Sequence, residues 1–187
     1  MPAFLEPVAV VFGIVSVWLS VREHIWSWPT AIVNVALYFV IFYEAKLYAD
    51  MGLQVFYVGI SLYGWYHWLY GGANRTELPV SRTPQALWVV LPLLWVGAAL
   101  GVGRLLSVST DANVPYADAA LTAGSLVAQW MMTRKYVENW ALWMGLDACY
   151  VGLFVSRGLY LTAFLYLVFF GLATKGLLDW SRRLRAQ

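Results

Sequence analysis

Charge is scarce in this chain. Only 12% of its 187 residues are Asp, Glu, Lys or Arg, where a soluble domain carries about 25%. Too few charges are present to cover a soluble surface, and mean hydropathy is +0.66. The net charge of +2 and the scatter of the basic residues exclude a nucleic-acid binder. One cysteine, Cys149, excludes an internal disulfide. With two histidines, His24 and His67, the chain has no CxxC or HExxH set, so neither a metal nor another cofactor is expected. No Walker motif is present, which excludes ATP drive within this chain. "GVGR" at 101–104 follows no strand and lacks the GK[ST] ending. Glu6, with no basic run before the first apolar stretch, speaks against a cleaved signal peptide.

What is present is 61% hydrophobic residue, gathered into long runs. Seven apolar segments, 4–21, 28–43, 51–70, 85–106, 115–133, 139–155 and 159–179, each approach the ~20 residues a helix needs to cross the hydrocarbon core. Short polar separators divide them. Pro29 and Pro84 fall near helix starts, and Pro92 lies inside the fourth segment. The expected fold is all-α: a polytopic membrane protein of seven transmembrane helices in contact with the lipid bilayer. Alternating the loops puts Arg22, Arg75, Arg82, Arg134, Lys135, Lys175, Arg182, Arg183 and Arg185 on one side, against Lys46, Arg104 and Arg157 on the other. The positive side is expected in the cytoplasm, with the N-terminus outside and the C-terminus inside.

A gapless shift of 112 residues lays 3–68 over 115–180 and gives thirteen identities. They include Trp18/Trp130, Arg22/Arg134, Trp28/Trp140, Tyr38/Tyr150, Gly59/Gly171, Gly64/Gly176 and Trp68/Trp180. Helices 1–3 and 5–7 therefore read as two copies of one unit. Three helices end on the side opposite their start, so a parallel second copy needs one intervening helix. The expected organisation is 3+1+3: residues 1–70 as the first repeat, 71–113 as a linker with helix 4, and 114–187 as the second repeat and cytoplasmic tail. Transporters are often built this way, with the substrate site at the repeat interface near the midplane.

Polar residues inside the segments mark candidate binding positions, because none faces lipid cheaply. Asn34 and Tyr38 share one face of helix 2, and Gln54, Tyr57 and Ser61 one face of helix 3. Helix 5 offers Thr122, Ser125 and Gln129, and helix 7 offers Tyr166. Helix 6 carries a stripe, Asn139, Trp143, Asp147 and Tyr150. An ionised carboxylate mid-membrane costs ~3 kcal/mol on insertion scales. Asp147 reads as a ligand contact, a proton-coupling site, or a structural group bonded to Asn34 or a tyrosine. Trp143 reads equally as a stacking platform or as packing. Trp28, Trp65, Trp68 and Trp140, near segment ends, read as interfacial belt. The paired glycines read as close helix contacts. His24 and His67 read as solvated, and Glu23 beside His24 lacks a nucleophile partner for acid–base work.

"WP" at 28–29, "KLYAD" at 46–50, "GWYHW" at 64–68, "TRKYVENWALWMGLD" at 133–147 and "GLYLTAFLY" at 158–166 resemble the PnuC family of bacterial vitamin transporters over nearly the whole chain. The resemblance implies a SWEET-like fold in the bacterial inner membrane. It implies facilitated uptake of nicotinamide riboside, a small-molecule vitamin, with trapping by a separate cytoplasmic kinase. Thiamine and riboflavin are the alternatives within the same fold. An enzyme is not expected, and the oligomeric state is left open, a homotrimer included. A flat cationic ring wants aromatic faces, and an amide and hydroxyls want donors and acceptors. Asn34, Tyr38, Gln54, Tyr57, Ser125, Gln129, Asn139, Trp143, Asp147, Tyr150 and Tyr166 supply both.

Overall fold

A computed structural model of the chain describes residues 4–44, 48–109, 114–156 and 158–186. Lys46, Asp111 and Arg157 lie outside the described residues. The described residues form seven α-helices: α1 Leu5–Val21, α2 Ser27–Glu44, α3 Tyr48–Tyr70, α4 Leu87–Ser109, α5 Pro115–Thr133, α6 Asn139–Ser156 and α7 Tyr160–Ala186. A single 3-10 turn, Ala73–Arg75, follows α3. Among the described residues there is no strand, only one isolated bridge between Ser81 and Tyr136. At 1.5 Å per residue, the shortest helix (17 residues) and the longest (27 residues) run about 25 to 40 Å. Leu87–Ser109 and Thr162–Ala186 are long and apolar enough to cross a membrane on composition alone. The other helices are shorter or richer in Trp and Tyr, which sit well at membrane interfaces but lower mean hydropathy. Large apolar side chains such as Leu93, Leu94, Leu105 and Phe164 point outward, as they do in a protein solvated by lipid.

Local sequence explains the helix ends. Pro115 occupies the first position of α5, where its missing N–H costs nothing, and Asp118 favours the same end electrostatically. Pro84 accepts from Leu87 N at 2.9 Å as α4 begins. Pro92 is carried within α4. The helix α7 continues to Ala186, so "SRRLRA" is helix and not a loose tail. α1 closes with His24 N on Leu19 O at 2.9 Å and Glu23 N on Ser20 O at 3.0 Å. That is a Schellman turn, and Glu23 holds its left-handed position at φ 56°. α5 closes alike, with Tyr136 N on Met131 O at 3.2 Å and Lys135 at φ 51°.

The chain divides into two compact units. One comprises Met1–Val80, Thr133–Lys135 and Leu178–Gln187; the other comprises Ser81–Met132 and Tyr136–Leu177. The first unit packs the Trp28 ring onto Gly64, where a Cβ would stand 2.3 Å from Cη2. The second packs Trp140 onto Gly176, where a Cβ would stand 2.5 Å from Cδ2. The 112-residue shift carries one contact onto the other. It also carries the stacked Tyr38–Phe42 pair, 5.7 Å between centroids, onto Tyr150–Phe154 at 6.0 Å.

These contacts correct four expectations. Trp28, Trp68 and Trp140 are not belt residues: they are 3%, 2% and 1% exposed, Trp28 and Trp140 because a glycine opposite each indole makes a slot for it, and Trp68 because it packs against the Trp28 and Trp180 rings. Gly59 and Gly171 are not close contacts, since a Cβ at either would meet nothing within 4 Å. His67 is not simply solvated: it is half-buried, stacks on Tyr63 at 5.5 Å and meets Arg134 Nη1 at 3.2 Å. The linker after α3 is more than a polar separator. Its end runs extended, Ser81 O accepts from Val137 N at 2.9 Å, and Glu138 Oε2 accepts from Thr83 N at 2.9 Å and Thr83 Oγ1 at 2.8 Å.

Candidate functional site

The eleven predicted residues fall in the two units separately. In the first, Asn34 and Tyr38 lie half-buried on α2, and Gln54 and Tyr57 half-buried on α3. The Asn34 amide donates to Ala9 O at 2.6 Å, tying α2 to α1. Gly13 makes room for it, since a Cβ there would stand 3.1 Å from Asn34 Nδ2. The Asn34 Nδ2 group is therefore committed to a backbone carbonyl. Tyr38 presents its ring beside Phe42, and Tyr57 meets Phe56 at 6.4 Å.

The second unit brings four predicted residues together from three helices. Ser125 of α5 hydrogen-bonds the Tyr150 hydroxyl of α6. Tyr150 packs against Tyr166 of α7 at 4.6 Å, with planes tilted by 34°. Asp147, one turn before Tyr150 on α6, is 4% exposed. Among the described residues nothing hydrogen-bonds its carboxylate. A buried carboxylate usually secures two or three donors, so Asp147 retains acceptor capacity. Two rings that the sequence reading passed over complete the wall. Phe154 lies 5.3 Å from Tyr166, and Phe169 lies 5.9 Å from it, edge-on at 89°. Phe residues in an apolar helix carry no signal of their own. The i, i+4 spacing of Tyr150 and Phe154 and the i, i+3 spacing of Tyr166 and Phe169 could have pointed to them.

The remaining predicted residues stand apart from that cluster. Gln129 and Trp143 are half-buried on α5 and α6, and Trp143 makes no ring contact among the described residues. Asn139 opens α6 and is fully buried. Its Nδ2 donates to Tyr136 O at 2.6 Å, and its Oδ1 is buried and accepts nothing among the described residues. Asn139 and Asp147 share a helix face, but at 1.5 Å per residue they lie about 12 Å apart along it. An apolar groove of about 330 Å³ between α4 and α5, lined by Trp95, Leu100 and Tyr116, holds none of the predicted residues.

Comparison with known proteins now bears on this arrangement. Residues 3–182 match the family model described as "Nicotinamide mononucleotide transporter". The chain belongs to that family. It is a transporter of the PnuC type and not an enzyme. It is 28% identical to the nicotinamide riboside transporter PnuC of Escherichia coli (strain K12), over 98% of this chain and 87% of that protein. It is 29% identical to the riboflavin/roseoflavin transporter RibM of Streptomyces davaonensis, over 94% of this chain and 83% of that protein. The fold is that of the crystal structure of the vitamin B3 transporter PnuC, with a TM-score of 0.76 at 24% identity, over 99% of this chain and 83% of that one.

Proposed function

We propose that this protein takes up nicotinamide riboside by facilitated diffusion through the bacterial inner membrane. The observation that carries the reading is the convergence of Ser125, Asp147, Tyr150 and Tyr166, from three helices, in a chain of this family. A pyridinium ring carries positive charge on a flat aromatic frame. Tyrosine and phenylalanine faces attract such a ring through their quadrupoles. The Asp147 carboxylate supplies a counter-charge or accepts from a ribose hydroxyl. Ser125 and Gln129 of the same unit offer further polar partners.

The candidate set contains no lysine or arginine, the residues that hold phosphates. It therefore favours a nucleoside over its 5′-phosphate, which Asp147 would also repel. Asp147 is the one acid among the eleven candidates, too thin a trail for ion coupling. A separate cytoplasmic kinase that phosphorylates the arriving riboside then traps it. The excess of basic residues on one side favours a cytoplasmic C-terminus. A second reading, riboflavin uptake, has the RibM likeness in its favour. Riboflavin is neutral, so Asp147 would then contribute little.

Titration calorimetry on the detergent-solubilised protein separates these readings. Nicotinamide riboside, its 5′-phosphate, thiamine and riboflavin are each titrated, then repeated with Asp147→Asn and Trp143→Ala. Binding of the riboside alone, weakened at least ~10-fold by Asp147→Asn, is the expected result. Riboflavin binding that ignores Asp147→Asn would replace the substrate assignment. No binding by a folded protein would remove the site.

A further inference from the structure

The 112-residue shift relates two pairs of residues that touch each other directly. Lys135 Nζ lies 3.2 Å from Glu23 Oε2, a pair separated by 112 positions. Trp68 and Trp180 are related by the same shift, and their ring centroids stand 6.0 Å apart. Lys135 Nζ also sits 4.5 Å over the Trp68 ring. Trp28 meets Trp68 edge-on at 5.2 Å. Trp180 Nε1 donates to Val21 O at 3.1 Å, and Arg183 Nη1 pairs with Glu23 Oε1 at 3.0 Å. All of these residues belong to the first compact unit and close one end of it.

Three features set this cluster apart from ordinary packing. Residues related by a repeat meet each other only at the repeat axis, where identical residues would place like charges face to face. Glu23 and Lys135 are opposite in charge, so the two copies differ at the one place where sameness would repel. The identical mates Arg22 and Arg134 diverge instead. Arg22 lies over Trp18 at 4.1 Å, and Arg134 over Tyr63 at 5.7 Å. Second, Glu23 and Lys135 each occupy the left-handed position of a Schellman turn, where glycine is the favoured residue. Their side chains must supply something that glycine could not, at the cost of backbone strain. Third, the ion pair is nearly dry, at 11% and 6% side-chain exposure. The desolvation of such a pair offsets most of its attraction. It can therefore part without large loss once both charges are rehydrated.

We propose that Glu23, Lys135 and Arg183, seated on the Trp28–Trp68–Trp180 cluster, form a charge latch that gates one end of the transporter. It is closed in this structure and released when the Glu23–Lys135 pair parts. The latch rests on the transport reading, since a gate presumes a path. It is independent of which vitamin travels.

The test uses a Cys149→Ser background with Ser27→Cys as the reporter. Ser27 is 2% exposed, one residue before Trp28. The rate of alkylation by a membrane-impermeant maleimide reports how often that end opens. Glu23→Gly removes the latch while giving the turn the residue it favours, but it leaves the buried Lys135 ammonium without its carboxylate; Lys135→Met, which leaves Glu23 paired with Arg183, is therefore the second variant. Glu23→Gly and Lys135→Met are each expected to raise the alkylation rate at least about tenfold. The charge-reversed protein, Glu23→Lys with Lys135→Glu and Arg183→Gln, is expected to return it to within about threefold of the parent. Unchanged alkylation in Glu23→Gly and Lys135→Met, with a monodisperse protein, overturns the latch and leaves a static brace. Faster alkylation that charge reversal fails to slow overturns the ion pair as its cause. Binding of the vitamin is measured on the same samples. A protein that binds none of the four ligands yet shows the alkylation pattern would sink the substrate assignment and keep the gate.

Discussion

Substituting Gly176 by alanine asks whether the indole slots hold each helix triplet together. A methyl at 176 would stand 2.5 Å from Trp140 Cδ2 and Cε2 and 2.8 Å from Cε3. Ordinary contact begins nearly 1 Å further out, and Trp140 is 1% exposed, with nowhere to retreat. Overpacking of that kind costs ~1–3 kcal/mol. In a chain of this size each kcal/mol moves the melting temperature by roughly 2–4 °C, so the midpoint in detergent should fall by roughly 2–12 °C. Gly64→Ala should do the same, because its methyl would stand 2.3 Å from Trp28 Cη2. The other repeat-related glycines give the control. Gly59 and Gly171 have nothing within 4 Å of an added Cβ, and alanine raises helix propensity by up to ~1 kcal/mol. Gly59→Ala and Gly171→Ala should therefore melt at or above the parent temperature. Trp140→Phe combined with Gly176→Ala should recover part of the loss, because the smaller ring vacates the space the methyl takes. The assay is thermal unfolding followed by tryptophan fluorescence in one detergent. Gly176→Ala melting with Gly171→Ala would refute the slot, and with it the packing role given to Trp140.

Glu138→Ala leaves the Thr83 N–H and hydroxyl without their acceptor; loss of about 1–3 kcal/mol is expected, read by the same melt, with Glu138→Gln intermediate. Asn34→Leu removes the 2.6 Å bond to Ala9 O; it should cost about 0.6–1.7 kcal/mol, checked by melting, and a gain in stability would show that the bond contributes nothing. Tyr150→Phe keeps the ring against Tyr166 but loses the Ser125 bond, whereas Tyr150→Ala loses both. Riboside affinity should fall only a few-fold in Tyr150→Phe and at least ~10-fold in Tyr150→Ala, as calorimetry would show, if the aromatic face is what binds.

The helices were legible because hydropathy and length act segment by segment. The span 139–155 and the observed Asn139–Ser156 nearly coincide for that reason. The matched Trp and Gly positions were legible for a different reason. Trp28/Trp140 and Gly64/Gly176 are matched partners in one contact, so each copy kept both or would have lost the slot. What the sequence could not reveal is the direction in which a side chain points. Trp28 and Trp140 sit at segment ends, where the membrane interface and a glycine slot both favour an indole, and position alone does not separate the two. Only the glycine 36 positions further on in each copy does so.

The same limit explains why Glu23 and Lys135 read only as loop charges. In sequence they are loop charges, and loop charges are ordinarily solvated. Three facts change that reading, and each needs coordinates: the left-handed backbone, the dry pair and the contact between repeat mates. The candidate site follows the opposite logic. Asp147 stood out from sequence because a carboxylate inside an apolar helix is costly wherever it points. The structure added Tyr150 one turn on, with its partner Ser125, and the rings of Tyr166, Phe154 and Phe169 beyond them. A costly residue declares itself by type, while an apolar wall is visible only by arrangement. That is why polar residues led to this site and aromatic ones completed it.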